Sequence, residues 1–234
     1  MTPSRRDVPA SQRGAPAARS ARVVRTLGAA PFALSMAFLL LLTTTWTRTS
    51  AGDDDALFDW VSTNVHNLSV APIRSLVLSA LFLPDGRWLL DSARLLAVLV
   101  PLERRIGTVR SLAAFASAHV LATLLTEGWV WWGLRTGAVP RAAAYQQDVG
   151  ISYGLYGVAG AVLYFVPGRF RPWLVAALAG YLIVPFAQTP DLTATGHLLS
   201  LAIGLAWWPV LGRFSASRPA ADAPGAGCPA GSPS

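Results

Sequence analysis

The sequence has no lysine and a single cysteine, and only 13% of its 234 residues are charged. An ordinary soluble domain carries about 25% charged residues, so the composition argues against a water-soluble enzyme. The lone thiol, Cys228, excludes an intramolecular disulfide framework and a cysteine-rich metal centre. Three histidines with no carboxylates at ligand spacing give no metal signature, and no phosphate-binding glycine loop sits on a strand–helix unit. No metal or cofactor is therefore expected. Apolar residues are what the chain has in abundance: 53% of the total, with a mean hydropathy of +0.45. The net charge of +7 is carried entirely by arginine. A basic balance can mark nucleic-acid binding, but most of these arginines cluster in short segments between apolar runs. That pattern reports membrane topology. The expectation is an integral membrane protein with the lipid bilayer, not nucleic acid, as its partner.

Apolar segments of bilayer-crossing length fall at about 27–46, 87–106, 111–134, 149–166, 173–188 and 193–212. The fifth is short and contains Pro185, which blurs its outer end. A cleaved signal peptide is the rival for the first, with Thr49 and Ala51 placed like a cleavage site, but the apolar stretch is long for that role. With the N-terminus inside, thirteen arginines fall on the inner side: Arg5, Arg6, Arg13, Arg19, Arg22, Arg25, Arg104, Arg105, Arg110, Arg169, Arg171, Arg213 and Arg218. Six remain outside, where Asp53, Asp54, Asp55, Asp59, Asp85, Asp148 and Asp191 also fall. The positive-inside rule then predicts six spans and two cytoplasmic termini. Trp46, Trp88, Trp129, Trp131, Trp132, Trp173, Trp207 and Trp208 lie near the span ends, as interfacial indoles do.

The expected organisation is a disordered basic tail over 1–25, a six-helix membrane domain over 26–214 with an outer loop at about 47–86, and a disordered tail over 215–234. Within that loop, Leu57, Phe58, Trp60, Val61, Val65 and Leu68 recur at near-helical spacing, and Leu76–Leu83 is nearly all apolar. This predicts a helix lying in the interface followed by a part-buried return.

Polar residues inside spans are costly, so each is a candidate for function. Ser152 and His197 enter spans four and six, which run in the same direction, and both fall roughly 6–8 Å below the outer boundary. Gly150, Gly154, Gly157 and Gly160 on one span, and Gly196, Ser200 and Gly204 on the other, are faces of small residues that let helix backbones approach closely. A serine with an imidazole at hydrogen-bonding reach is the minimum for nucleophilic catalysis. The alternative is that both side chains only make helix contacts. His119, Thr123, Thr126 and Glu127 form a polar strip on span three, readable as a proton or ion path or as contacts to neighbouring spans. His66 reads as solvated.

The stretch Gly150-Ile151-Ser152-Tyr153-Gly154-Leu155-Tyr156-Gly157, followed by Gly160, resembles the Gly-x-Ser-Gly motif of the rhomboid intramembrane serine proteases. Gly196-His197 with Ser200 and Gly204 is similar to that family's Ala-His-x-x-Gly-x-x-x-Gly helix, and Leu102-Glu103-Arg104-Arg105-Ile106-Gly107 resembles the stretch closing its second span. The resemblance covers about 27–212. It implies an all-α polytopic membrane protein, a six-transmembrane-helix bundle with an interfacial outer loop. It further implies a Ser152–His197 dyad, Tyr156 stacked on His197, and transmembrane proteins as substrates or partners.

Three positions depart from the family pattern. Tyr153 replaces the glycine after the nucleophile and is expected to crowd the turn. Counting back from Glu103, the oxyanion-hole asparagine falls at Asp91 and a second-span histidine at Arg87. An ionised carboxylate only accepts hydrogen bonds, so Asp91 is either neutral, paired with Arg87 and Arg94 on its helix face, or an orienting partner of His197. Arg87 could itself be the oxyanion donor. The expected function is an intramembrane serine protease. The alternatives are a catalytically inactive relative that binds transmembrane partners, and a small transporter using His119, Glu127 and Asp91, for which no inverted repeat is evident. The expected setting is a multi-pass protein of the cell membrane, a bacterial plasma membrane in particular.

Overall fold

The computed structural model describes residues 30–50, 54–84, 87–189 and 191–216. Ala51, Asp53, Asp85 and the two expected tails lie outside the described residues, except that the final helix continues to Ala216. The described residues contain helices and connecting turns and no strand. In order these are α1 (Pro31–Thr49), α2 (Asp54–Val61), α3 (Val65–Val70), α4 (Pro72–Leu78), α5 (Trp88–Ile106), α6 (Thr108–Thr136), α7 (Ser152–Val162), α8 (Arg171–Gln188), α9 (Leu192–Ala206) and α10 (Trp208–Ala216). Each of the six apolar segments read from the sequence holds a helix. Two stretches, Thr108–Thr136 and Leu192–Arg213, are long and apolar enough to cross a bilayer by themselves.

The inward faces follow the helical period. In α1, Ala33, Met36, Leu40, Thr44 and Thr47 are buried, at spacings of three and four. They meet Leu95, Leu99 and Leu102 of α5, all fully buried in the same core. The outward faces are also apolar. In α8, Leu182 is the one buried residue, while Trp173, Leu174, Tyr181, Ile183 and Val184 are exposed. An exposed apolar face of this extent is unfavourable in water and suits lipid.

One buried carboxylate joins three helices at one end of the bundle. Glu103, 2% exposed, accepts the Phe32 and Ala33 N–H groups at the start of α1, both at 2.9 Å. It also accepts the Thr108 hydroxyl at the start of α6 at 2.7 Å. The first N–H groups of a helix have no acceptor of their own and sit at the positive end of its dipole. A carboxylate there makes charge-assisted bonds, and Gly107, at φ +84°, makes the sharp turn that brings Thr108 back to it.

Helix α7 is the centre of the bundle and is shorter than the span expected at 149–166. Eleven residues cover about 16 Å, half of a hydrocarbon core. The helix begins only after the turn at Gly150 (φ +142°) and ends in a short 3₁₀ turn, Leu163–Phe165, ahead of Pro167. Non-helical backbone at membrane depth is tolerable where protein surrounds it, and eight of the eleven residues of α7 are buried.

The outer segment is built as three short helices rather than one interfacial helix and a return. Asn64 breaks the run by capping α3, accepting the Asn67 N–H at 2.9 Å, and Pro72 opens α4. Phe58 and Val61 of α2 pack on Phe82. Two of the tryptophans expected at the interface turn inward, because a part-buried indole N–H finds a partner in protein. Trp207 donates to the Ser117 hydroxyl (3.0 Å) and Trp208 to the Gly160 carbonyl (2.9 Å). Trp46, Trp129, Trp131, Trp132 and Trp173 are exposed.

Candidate active site

Ser152 is placed by the strand-like segment before α7, which is tied to the outer helices. The Thr63 N–H donates to the Asp148 carbonyl (3.0 Å), the Asp148 N–H to the Ser62 hydroxyl (2.8 Å), and the Gly150 N–H to the Ser79 carbonyl (2.8 Å). Burial pushes the Asp148 carboxyl above the ordinary range, with the neighbouring Tyr153 and Thr63 hydroxyls opposing. Ser152 is then the first residue of α7, so its N–H and those of Tyr153 and Gly154 have no acceptor within the helix.

His197 is placed by α9. Asp191 caps that helix, accepting the Ala194 N–H at 2.6 Å, one turn before the histidine. The α7–α9 seam sets the approach. A Cβ on Gly204 would collide with the Gly157 backbone carbonyl, and one on Gly160 would lie 2.8 Å from the Leu201 carbonyl oxygen. On its other side α7 meets α6, where a Cβ on Gly154 would enter the Phe115 ring and one on Gly157 would meet Ala118. Gly150 differs from these: a Cβ there meets nothing within 4 Å. Its requirement is the positive φ of the turn rather than the helix contact expected from the sequence.

Ser152, Tyr156, His197, Asp91, Arg87 and Gly150 all line one cavity of about 460 Å³. The Tyr156 ring lies on His197 with centroids 4.7 Å apart. His197 Nε2 is buried and has no hydrogen-bond partner, and no hydrogen bond joins it to Ser152. Apo sites often hold such pairs apart until substrate arrives. Asp91 pairs with Arg94, Nη1 to Oδ1 at 3.2 Å, and Arg87 lines the same cavity. Asp91 makes no hydrogen bond to His197, so of the arrangements read from sequence the structure holds the ion pair with Arg94.

Tyr153 does not crowd the site. It is 3% exposed, lies behind His197 at 5.8 Å between ring centroids, and is not among the cavity-lining residues. The strip on α6 is the continuation of that helix's buried face: His119, Thr123, Thr126 and Glu127 follow Ser111, Ala114, Phe115 and Ala118 at spacings of three and four. His119 Nε2 donates to the Leu76 carbonyl (3.0 Å), with Ser79 Oγ 3.3 Å away, and Thr126 donates to the Ala122 carbonyl (3.0 Å). His119 thus contacts a neighbouring segment, whereas Thr126 bonds its own helix backbone. His66, read as solvated, is exposed, and its ring lies beside Tyr145 with centroids 4.9 Å apart.

Sequence reasoning missed Tyr181 and Leu182, which close the cavity from α8. It also missed the role of Glu103, whose partners on α1 lie about 70 residues away. A buried acid beside two arginines at a helix end was the available signal. Among the described residues no group of three metal-ligating side chains occurs.

A family model described as a rhomboid-like protein matches residues 25–216. The chain belongs to the rhomboid-like family. That family includes serine intramembrane proteases, and with its apolar helices this rhomboid-like protein is a membrane protein. No curated protein and no solved structure matches the chain.

Proposed function

We propose that this rhomboid-like protein is an intramembrane serine protease with six spans, both termini on the cytoplasmic side, cutting transmembrane proteins. The observation that carries the reading is the shared cavity in which Ser152 opens one helix, His197 faces it from another, and Tyr156 covers the imidazole. Ser152 Oγ attacks a peptide carbonyl as His197 takes its proton. The oxyanion receives the free N–H groups at the start of α7. His197 then protonates the leaving amine, and water releases the acyl group by the same steps in reverse roles. The substrate segment must be locally unwound, since a regular helix holds its peptide bonds in internal hydrogen bonds.

A second reading is favoured by the Asp91–Arg94 pair, which puts a carboxylate where an oxyanion donor is expected. It makes the cavity a binding site for transmembrane partners that are not cut. The test is reconstitution into liposomes with a panel of single-span fusion proteins whose outer halves carry glycine or proline. Cleavage by the wild type but not by Ser152→Ala supports proteolysis. Partners that bind equally to both proteins and emerge intact support the second reading.

A further inference from the structure

The residue after Ser152 carries an unexpected load. Tyr153 and Tyr156 are three apart on α7 and both meet His197. Tyr156 does so from the cavity, at 4.7 Å with 60° between ring planes, and Tyr153 from the interior, edge-on at 5.8 Å and 78°. No described residue holds the His197 ring by a hydrogen bond to Nε2. The other neighbour of the Tyr153 ring is His119, 6.4 Å away, itself anchored on the Leu76 carbonyl. Room for the ring comes from the residue before the histidine: a Cβ on Gly196 would fall on Cζ, Cε1 and the hydroxyl of Tyr153. The Tyr153 hydroxyl is buried on the side of Asp148 and Thr126, so the ring and not the hydroxyl meets His197.

We propose that Tyr153 is a positioning residue for His197, its ring seated in the gap left by Gly196 and fixing the imidazole from behind while Tyr156 fixes it from the front. The catalytic part of this rests on the reading of Ser152 and His197 as a working pair. A base must be held within hydrogen-bonding reach and in plane with the proton it takes. Two rings packed on an imidazole do this without a carboxylate, because edge-to-face contacts have preferred geometry.

The experiment uses the full chain in detergent micelles, with two readouts: the rate at which a fluorophosphonate probe labels Ser152, and the NMR ring resonances of His197. The latter are assigned by their loss in His197→Gln and respond to the ring currents of both tyrosines. Tyr153→Phe is expected to keep both, with labelling within about twofold of wild type, whereas Tyr153→Leu slows labelling by about tenfold and shifts the His197 resonances. Gly196→Ala displaces the ring and does the same. Adding Tyr153→Gly to Gly196→Ala relieves the collision, so the double variant is less impaired than the two single effects predict. Unmoved His197 resonances in Tyr153→Leu would overturn the proposal. So would a Tyr153→Phe loss as large as that of Tyr153→Leu, or additive effects in the Tyr153–Gly196 cycle. A wild type that fails to label removes the catalytic reading of Ser152, and the resonances then decide separately whether Tyr153 sets the ring.

Discussion

Helix α5 carries two carboxylates, Asp91 and Glu103, about 18 Å apart along its axis, and they sit in opposite surroundings. Glu103 is sealed, and both its oxygens are engaged by the starts of α1 and α6. Asp91 lines an open cavity, has one arginine at 3.2 Å, and keeps accepting capacity unused by that contact. The same residue class thus does structural work at one end of the helix and leaves a polar wall free for chemistry at the other. A fully satisfied buried acid contributes to stability, whereas a half-satisfied one beside a cavity is a liability retained for function.

Removing Glu103 is the change that should break the structural end. Glu103→Ala strands two buried N–H groups and a hydroxyl and is expected to cost about 3–5 kcal/mol, read as a large drop in the unfolding midpoint in detergent. Glu103→Gln should retain part of that loss as stability. Closing the central seam comes next. Gly204→Ala drives a methyl into the Gly157 carbonyl and should cost about 1–3 kcal/mol. Gly128→Ala on α6, where a Cβ meets nothing, should be neutral or slightly stabilising in the same assay.

Asp148 supplies a pH dependence at the other end. A carboxyl raised by burial binds its proton more readily in the folded chain than in the unfolded one. Its contribution to stability therefore falls as pH rises above the ordinary aspartate value of 3.8 towards the folded value. Asp148→Asn should flatten that slope in unfolding midpoints measured between about pH 4 and 7. An unchanged slope would mean that other groups produce it. A small stability effect is also expected at Asp91. A single part-exposed ion pair is worth less than about 1 kcal/mol, so Asp91→Asn should leave the midpoint nearly unmoved. If proteolysis is the function, the same variant should label faster at Ser152, since an amide can donate to the oxyanion where a carboxylate repels it. A midpoint drop comparable to that of Glu103→Ala would erase the contrast between the two ends.

The helical segments were legible because apolar length is a strong, local signal. Equal depth and small-residue spacing pointed to one place for Ser152 and His197, and in the structure both line one cavity. Three features were not legible. The shortness of α7 depends on the Gly150 turn being held by Ser79, a contact between segments 71 residues apart. The division of the outer loop into α2, α3 and α4 depends on the Asn64 cap and Pro72, which hydrophobic spacing does not register. The direction of the Tyr153 ring was invisible because the space that takes it is left by Gly196, far away in the sequence. The absent Cβ of Gly196 leaves the interior open.

The most direct test of the central claim is fluorophosphonate labelling of the purified full chain, with the modified peptide identified by mass spectrometry. Wild type, Ser152→Ala and His197→Ala would be compared under conditions in which all three are shown folded. The account predicts a phosphonylated Ser152 in the wild type and no labelling in either variant. A folded wild type that stays unlabelled, beside an active serine protease that labels under the same conditions, would contradict it and leave the cavity as a binding site.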